Sequence, residues 1–189
     1  MKKVVCLLIA ISICVFSGCS VSRENKNLIE STQYYSIFNG EMPAEVTYEI
    51  YDSNGKTVLS ETTDSPLSIT MFDENTVDIN KDMGTGLAVH KYYSVTENKF
   101  SHEFFYVICS SKNMIAYINV PKENSLQDRT IVVQNIFDEE EYFKEFELNL
   151  SPADTPVIEG NFNEDLSEIN ITYLCGESHE EVSQSLNLK

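Results

Sequence analysis

Glu45-Val46-Thr47-Tyr48-Glu49-Ile50, followed by Asp52-Ser53-Asn54-Gly55-Lys56 and then Thr57-Val58-Leu59, is the stretch that decides the fold. Val46, Tyr48 and Ile50 alternate with Glu45, Thr47 and Glu49, which is the period-two pattern of a strand with one buried face. The next five residues make a turn, because Asp and Asn tolerate tight backbone geometry and Gly55 accepts positive φ. Thr57 begins the return strand. The same grammar recurs at Leu67, Ile69 and Met71, turns at Asp73-Glu74-Asn75, and resumes at Val77 and Ile79. Strand-like runs follow over 87–96 and 100–110, joined by Glu97-Asn98-Lys99, and over 114–120, ending at Pro121. Further runs cover 130–137, 142–150, 157–162, 168–174 and 182–188. Turn signals roughly every 8–12 residues predict an all-β domain of antiparallel sheets with a sandwich-like arrangement. Only the short acidic stretch Asp138-Glu139-Glu140-Glu141-Tyr142-Phe143 carries helical character. A faint echo links Phe72-Asp73-Glu74-Asn75 with Phe162-Asn163-Glu164-Asp165, each a strand end, an acidic turn and a new strand. It raises a second architecture, two propeller-blade-like sheets.

Upstream of the alternating region the chain changes character. Met1-Lys2-Lys3 precedes a largely apolar run over residues 4–16, and then the small step Ser17-Gly18-Cys19-Ser20. A charged start, a short apolar core and a small-residue exit form the layout of a secretory signal peptide. About 13 apolar residues fall short of the ~20 that span a bilayer as a helix. A cysteine directly after that exit resembles the lipobox of bacterial lipoproteins, over residues 1–20 only, with Phe16 where leucine is usual. The resemblance implies cleavage between Gly18 and Cys19 and a diacylglycerol on the Cys19 sulfur. Two acyl chains hold a protein durably at a membrane where one does not. Residues 1–18 are thus read as the signal peptide, 19–33 as a lipidated start and polar tether, and 34–189 as one β-domain. The expected location is the outer face of the cell membrane.

Thirteen basic and 30 acidic residues give the chain a formal charge of −17. Loss of residues 1–18 removes Lys2 and Lys3, leaving 11 basic against 30 acidic residues, or −19. Such a surface repels nucleic acid, which proteins meet with lysine and arginine, so no nucleic acid partner is expected. It repels anionic headgroups as well, which leaves membrane attachment to the lipid. A hydrophobic share of 42%, with 11% aromatics, is that of a folded domain.

Cys6 and Cys14 leave with the leader and Cys19 takes lipid, so Cys109 and Cys175 are the cysteines of the domain. Export permits a disulfide between them, although their apolar flanks equally suit buried free thiols. His90, His102 and His179 lack the spacing of a metal motif. The serines include no Gly-x-Ser-x-Gly elbow. Gly84-Thr85-Gly86 has no third glycine or following helix. An EF-hand reading of Asp52-Ser53-Asn54-Gly55 fails at Lys56 and Thr63. Catalytic residues therefore stay unassigned, and neither a metal nor a cofactor is expected. The aromatic runs Tyr34-Tyr35, Tyr92-Tyr93 and Phe104-Phe105-Tyr106 put rings on both faces of their strands, which two-sided burial in stacked sheets would explain. The reading that emerges is a lipid-anchored, non-catalytic binding or accessory module for a protein, peptide or cell-wall ligand. Its rival is a cell-envelope hydrolase with a carboxylate and histidine site around His90 and His102.

Overall fold

The structure, a computed structural model, describes residues 27–84, 86–120, 129–153 and 156–189. Gly18 and Cys19 lie outside the described residues. Those described form strands and turns, without a helix. Strands β1 (Leu28–Ser31), β2 (Tyr35–Asn39), β3 (Val46–Tyr51) and β4 (Thr57–Thr63) make a first antiparallel sheet in chain order. A second contains β5 (Leu67–Met71), β6 (Thr76–Asp82), β7 (Ala88–Ser94) and β8 (Lys99–Phe105). The third is built from β9 (Val107–Ser111), β10 (Met114–Asn119), β11 (Thr130–Asn135) and β12 (Phe143–Glu147). The fourth has β13 (Val157–Phe162), β14 (Glu168–Cys175) and β15 (Glu180–Asn187). Every sheet is an up-and-down meander, the simplest product of strands joined by tight turns.

The sheets stack face to face in the order in which they are made, and three apolar layers lie between them. Tyr35, Ile37, Tyr48 and Ile50 of the first sheet pack on Ile69, Val77, Ile79 and Tyr93 of the second. The other face of the second sheet gives Tyr92 and Phe104 to a layer shared with Ile115 and Ile136. The far face of the third sheet gives Met114, Ala116, Ile118, Ile131 and Val133, packed on Ile169, Ile171, Tyr173 and Leu186 of the fourth. The sandwich is therefore repeated. Four blade-like sheets stand where the alternative architecture expected two, and both inner sheets are covered on both faces. Each fully buried side chain of this size contributes roughly 1.5–3 kcal/mol.

Several boundaries differ from the sequence reading. The first strand begins at Leu28, inside the segment read as tether, and β2 had no alternating signal. Its residues Tyr35 to Phe38 are all buried, so the pattern is continuous rather than alternating. The run over 100–110 is two strands. Tyr106, at φ 51°, turns the chain out of the second sheet and into the third, while its carbonyl accepts the Ile118 N–H at 3.1 Å. A bulky residue seldom adopts that conformation, and three consecutive aromatics read as one strand. The acidic stretch at 138–141 is a turn, closed by the Glu141 N–H on the Asp138 carbonyl at 3.1 Å.

Alternate residues of β14 that do not enter the core, Asn170 and Thr172, lie with Glu159, Asn161, Ser183 and Ser185 along a shallow hollow on the outer face of the fourth sheet. Hydroxyls and amides there end the stack, as the polar outer face of a terminal repeat does in a solenoid.

Candidate functional site

The rival reading of the sequence placed a carboxylate and histidine site around His90 and His102. The structure gives each a different neighbour. His90 Nδ1 lies 3.1 Å from both carboxylate oxygens of Asp78, diagonally across β6 and β7. The imidazole stacks on Tyr92, centroids 6.2 Å apart. Tyr92 meets Phe104 edge-on at 6.1 Å, and Phe104 contacts His102 at 4.0 Å. The two histidines are thus the ends of an aromatic row along the face of the second sheet that meets the third. Burial raises the Tyr92 phenol, and the Asp78 charge adds to it. Burial lowers the His102 imidazole, with Glu139 acting the other way.

His179 has a partner that sequence spacing could not reveal. Its Nδ1 is hydrogen-bonded to the Ser151 hydroxyl, 28 residues away. A serine beside a histidine is the start of a nucleophilic site, but Ser151 is 0% exposed, so no substrate carbonyl can reach its oxygen. That oxygen also accepts the Ala153 N–H at 3.2 Å, and Arg129 Nη1 donates to the Ala153 carbonyl at 2.6 Å. The pair pins the connection after β12 to the β14–β15 turn, where His179 holds φ 54°.

Cys109 and Cys175 are free thiols. Cys109 lies on β9 against Gly160, whereas Cys175 ends β14 opposite Leu150, with the Asn149 side-chain amide 3.6 Å from its sulfur. Burial pushes the Cys109 thiol up to about 12, far from the thiolate a nucleophile needs.

A different feature has the form of a binding site. Where the second and third sheets end together, the turns around Asp73–Asn75, Thr96–Glu97 and Lys112–Asn113 surround a groove of about 520 Å³. Its floor is a cross-strand pair, Thr76 on β6 and Ser94 on β7, 7% and 6% exposed. The Ser94 hydroxyl accepts the Glu97 N–H at 3.2 Å. The Thr76 hydroxyl has no hydrogen-bond partner among the described residues. Phe137 forms a wall from the third sheet, fixed by its N–H on Asn135 Oδ1 at 2.9 Å. Asp73, Glu74 and Glu97 stand on the rim opposite Lys112. The turns are braced, with the Asn75 N–H on Asp73 Oδ1 at 2.7 Å and the Val95 N–H on the Asn75 carbonyl at 2.8 Å. The turns at Asp73–Asn75 and Glu97 were visible in the sequence, and Lys112–Asn113 fell in the gap between two strand-like runs. Their convergence was not visible, because Phe137 and Lys112 come from a separate sheet and no short motif joins them.

Among the described residues no set of three or more His, Cys, Asp and Glu side chains is placed to hold a metal ion.

No family model matches the chain, and no curated protein is similar to it. Among solved structures it is similar to the crystal structure, at 1.18 Å, of the uncharacterized protein lmo1340 from Listeria monocytogenes EGD-e. The likeness has a TM-score of 0.37 and 13% identity over 86% of this chain. The chain spans about half of that protein's structure, 53% of its length.

Proposed function

We propose that the chain is an extracytoplasmic lipoprotein, anchored through Cys19 at the outer face of the cell membrane, whose β-domain binds a ligand without transforming it. The observation that carries the binding reading is the groove at the end of the second and third sheets. On its floor the Thr76 hydroxyl makes no hydrogen bond to the described residues and opens to the groove, where it can bond a ligand or water. Preformed concave sites with a few placed polar groups are the usual form of ligand pockets, and this volume falls in their range of roughly 300–1,000 Å³. Groups with the chemistry for catalysis are committed elsewhere: Ser151 to a loop, His90 to Asp78, Cys109 to packing against the core. The lipid reading is supported by the leader residues alone.

Two experiments separate the parts. Cys19→Ala in the full chain is expected to abolish incorporation of labelled palmitate and to release the protein from the membrane fraction. Retention of label and location would overturn the anchor. For the groove, Thr76→Val is expected to change ligand-dependent stabilisation while leaving the fold intact. A variant that responds to membrane or wall extracts as the parent does would overturn the site.

A further inference from the structure

We infer that residues 19–26 bind along the outer face of the first sheet as a strap, in place of a free tether. Ile37 and Ile50 point into the layer shared with the second sheet, so their neighbours Phe38 and Tyr51 point the other way. The Tyr51 hydroxyl donates to Glu49 Oε2 at 2.9 Å, which puts both on that outer face, and Thr47 Oγ1 lies 2.9 Å from Thr62 Oγ1 on it. The first sheet ends the stack, and none of the three apolar layers contains Phe38 or Tyr51. Yet Ser36, Phe38 and Tyr51 are only 1%, 6% and 4% exposed. On the same face Ser60 and Thr62 of β4 are exposed, so the cover runs over β2 and β3 and stops short of β4.

The other end of the stack shows an open terminal face, where Asn170, Ser183 and Ser185 are exposed amides and hydroxyls. Two buried aromatics in the corresponding place on the first sheet call for an occupant, and the chain supplies one. Asn27 leads into β1, and its carbonyl accepts the Asn39 N–H at 2.9 Å, next to Phe38. The segments at 85, 121–128 and 154–155 connect strands of the second, third and fourth sheets, so the chain before Asn27 is the one that enters at this face. Phe38 pairs with Thr47, four residues before Tyr51, a span of roughly 13 Å along the strand. Eight extended residues reach about 28 Å, enough to cross it. Val21 offers an apolar side chain to the two rings. Arg23 and Lys26 outnumber Glu24, the reverse of the chain as a whole, and bring cations to the Glu49 carboxylate and to the aromatic faces. The strap depends neither on the groove nor on the lipid. With lipid on Cys19, it would turn the first sheet toward the membrane.

Trypsin, which cuts after lysine and arginine, tests the strap in the protein purified from membranes and held in detergent micelles. Cleavage at Arg23 and Lys26 should be slower by about tenfold or more than in a synthetic peptide of residues 20–30, because a docked segment must open before it is cut. Phe38→Ala with Tyr51→Ala should bring both sites close to the peptide rate. Cleavage at the exposed Lys99 of the second sheet should stay unchanged, which shows that the domain is still folded. Should that double variant fail to fold, Val21→Asp with Arg23→Glu alters the segment alone, and Lys26 should then be cut at the peptide rate. Cleavage of the parent as fast as the peptide overturns the strap. Protection of Lys26 that survives the segment variant also overturns it, since the micelle and not the sheet then shields the site. Protection found only while residues 1–18 remain attached, read by intact mass, gives the face to the leader and overturns the proposal. Protection that fades on dilution gives it to a second copy and does the same.

Discussion

Tyr92 and Tyr93 are consecutive and both 0% exposed, yet they lie in different cores. Tyr92 points toward the third sheet and meets Phe72 at 5.5 Å. Tyr93 points toward the first sheet, packs on Phe100 at 4.6 Å, and donates its hydroxyl to Asn98 Oδ1 at 2.9 Å. The alternation of side chains along a strand makes this unavoidable once both faces are covered. The hydroxyls are not equivalent, because Tyr92 reaches only Ser110 Oγ, at 3.4 Å. Tyr93→Phe should therefore cost about 1 kcal/mol. Tyr92→Phe should stay within about 0.5 kcal/mol of the parent, because little hydrogen bonding is lost. Urea unfolding of the two variants checks this, and equal losses would contradict the contrast.

At Gly160 the fourth sheet comes tightly against β9 of the third. A Cβ there would stand 2.4 Å from Ile108 Cγ2 and 3.6 Å from Cys109 Sγ. Gly160→Ala should cost about 1–3 kcal/mol by overpacking. Ile108→Ala in the same chain should restore part of that loss, which a double-mutant cycle reads directly. Gly55 supplies the comparison. It sits at φ +76° with nothing near its missing side chain, so Gly55→Ala strains the turn backbone but nothing beyond it. Removing Ile108 therefore should not rescue that variant.

The strands were legible where one periodic signal acted alone. β5 (Leu67–Met71) and β13 (Val157–Phe162) begin and end where alternation and turns put them. β2 was illegible because burial on both faces erases alternation, and the break at Tyr106 was illegible because its residue type argues against the backbone it adopts. The number of sheets could not be read either. Four meanders and two longer ones share the same local pattern, and only the doublet Tyr92-Tyr93 hints that an inner sheet is covered twice. The groove is the extreme case. Thr76 and Ser94 read as ordinary strand residues, and what distinguishes them is their place on the floor of a groove between two sheets, a property of the assembled sheets.

Between the first and second sheets, Glu61 should make stability depend on pH. Its carboxylate accepts from the Tyr48 hydroxyl and lies 2.8 Å from Lys81 Nζ, which also sits over the Tyr48 ring at 5.2 Å. Burial raises the Glu61 carboxyl, but the bonds from Lys81 and Tyr48 outweigh it and hold it below the usual glutamate value of 4.5. A carboxyl depressed in the folded state stabilises above its unfolded value, and that contribution is lost as pH falls through the folded one. Tyr48 runs the other way. Burial, with the Glu61 bond, pushes its phenol up to about 12, so its contribution is full below the ordinary value of 10 and lost as pH rises toward 12. Glu61→Gln should flatten the acid limb of the stability profile by less than about 1 kcal/mol, since the glutamate is partly solvated. Unfolding midpoints from pH 3 to pH 7 measure it, and an acid limb unchanged by the substitution would refute the assignment.

Cys109 should behave as a core residue and not as a reactive thiol. Burial has moved its proton affinity up to about 12, so near pH 8 the folded protein holds it almost wholly as the unreactive thiol. The sign of the linkage follows. Stability from this raised group is complete below the ordinary thiol value and is lost as pH rises toward 12. Alkylation by iodoacetamide should therefore reach Cys109 only as fast as the β9 edge opens, and low urea should accelerate it before Cys175 changes. Peptide mapping by mass spectrometry assigns each label to its cysteine. Labelling of Cys109 in the native protein as fast as in the unfolded chain would refute the burial argument, and recovery of a disulfide-linked peptide pair would refute the free thiols.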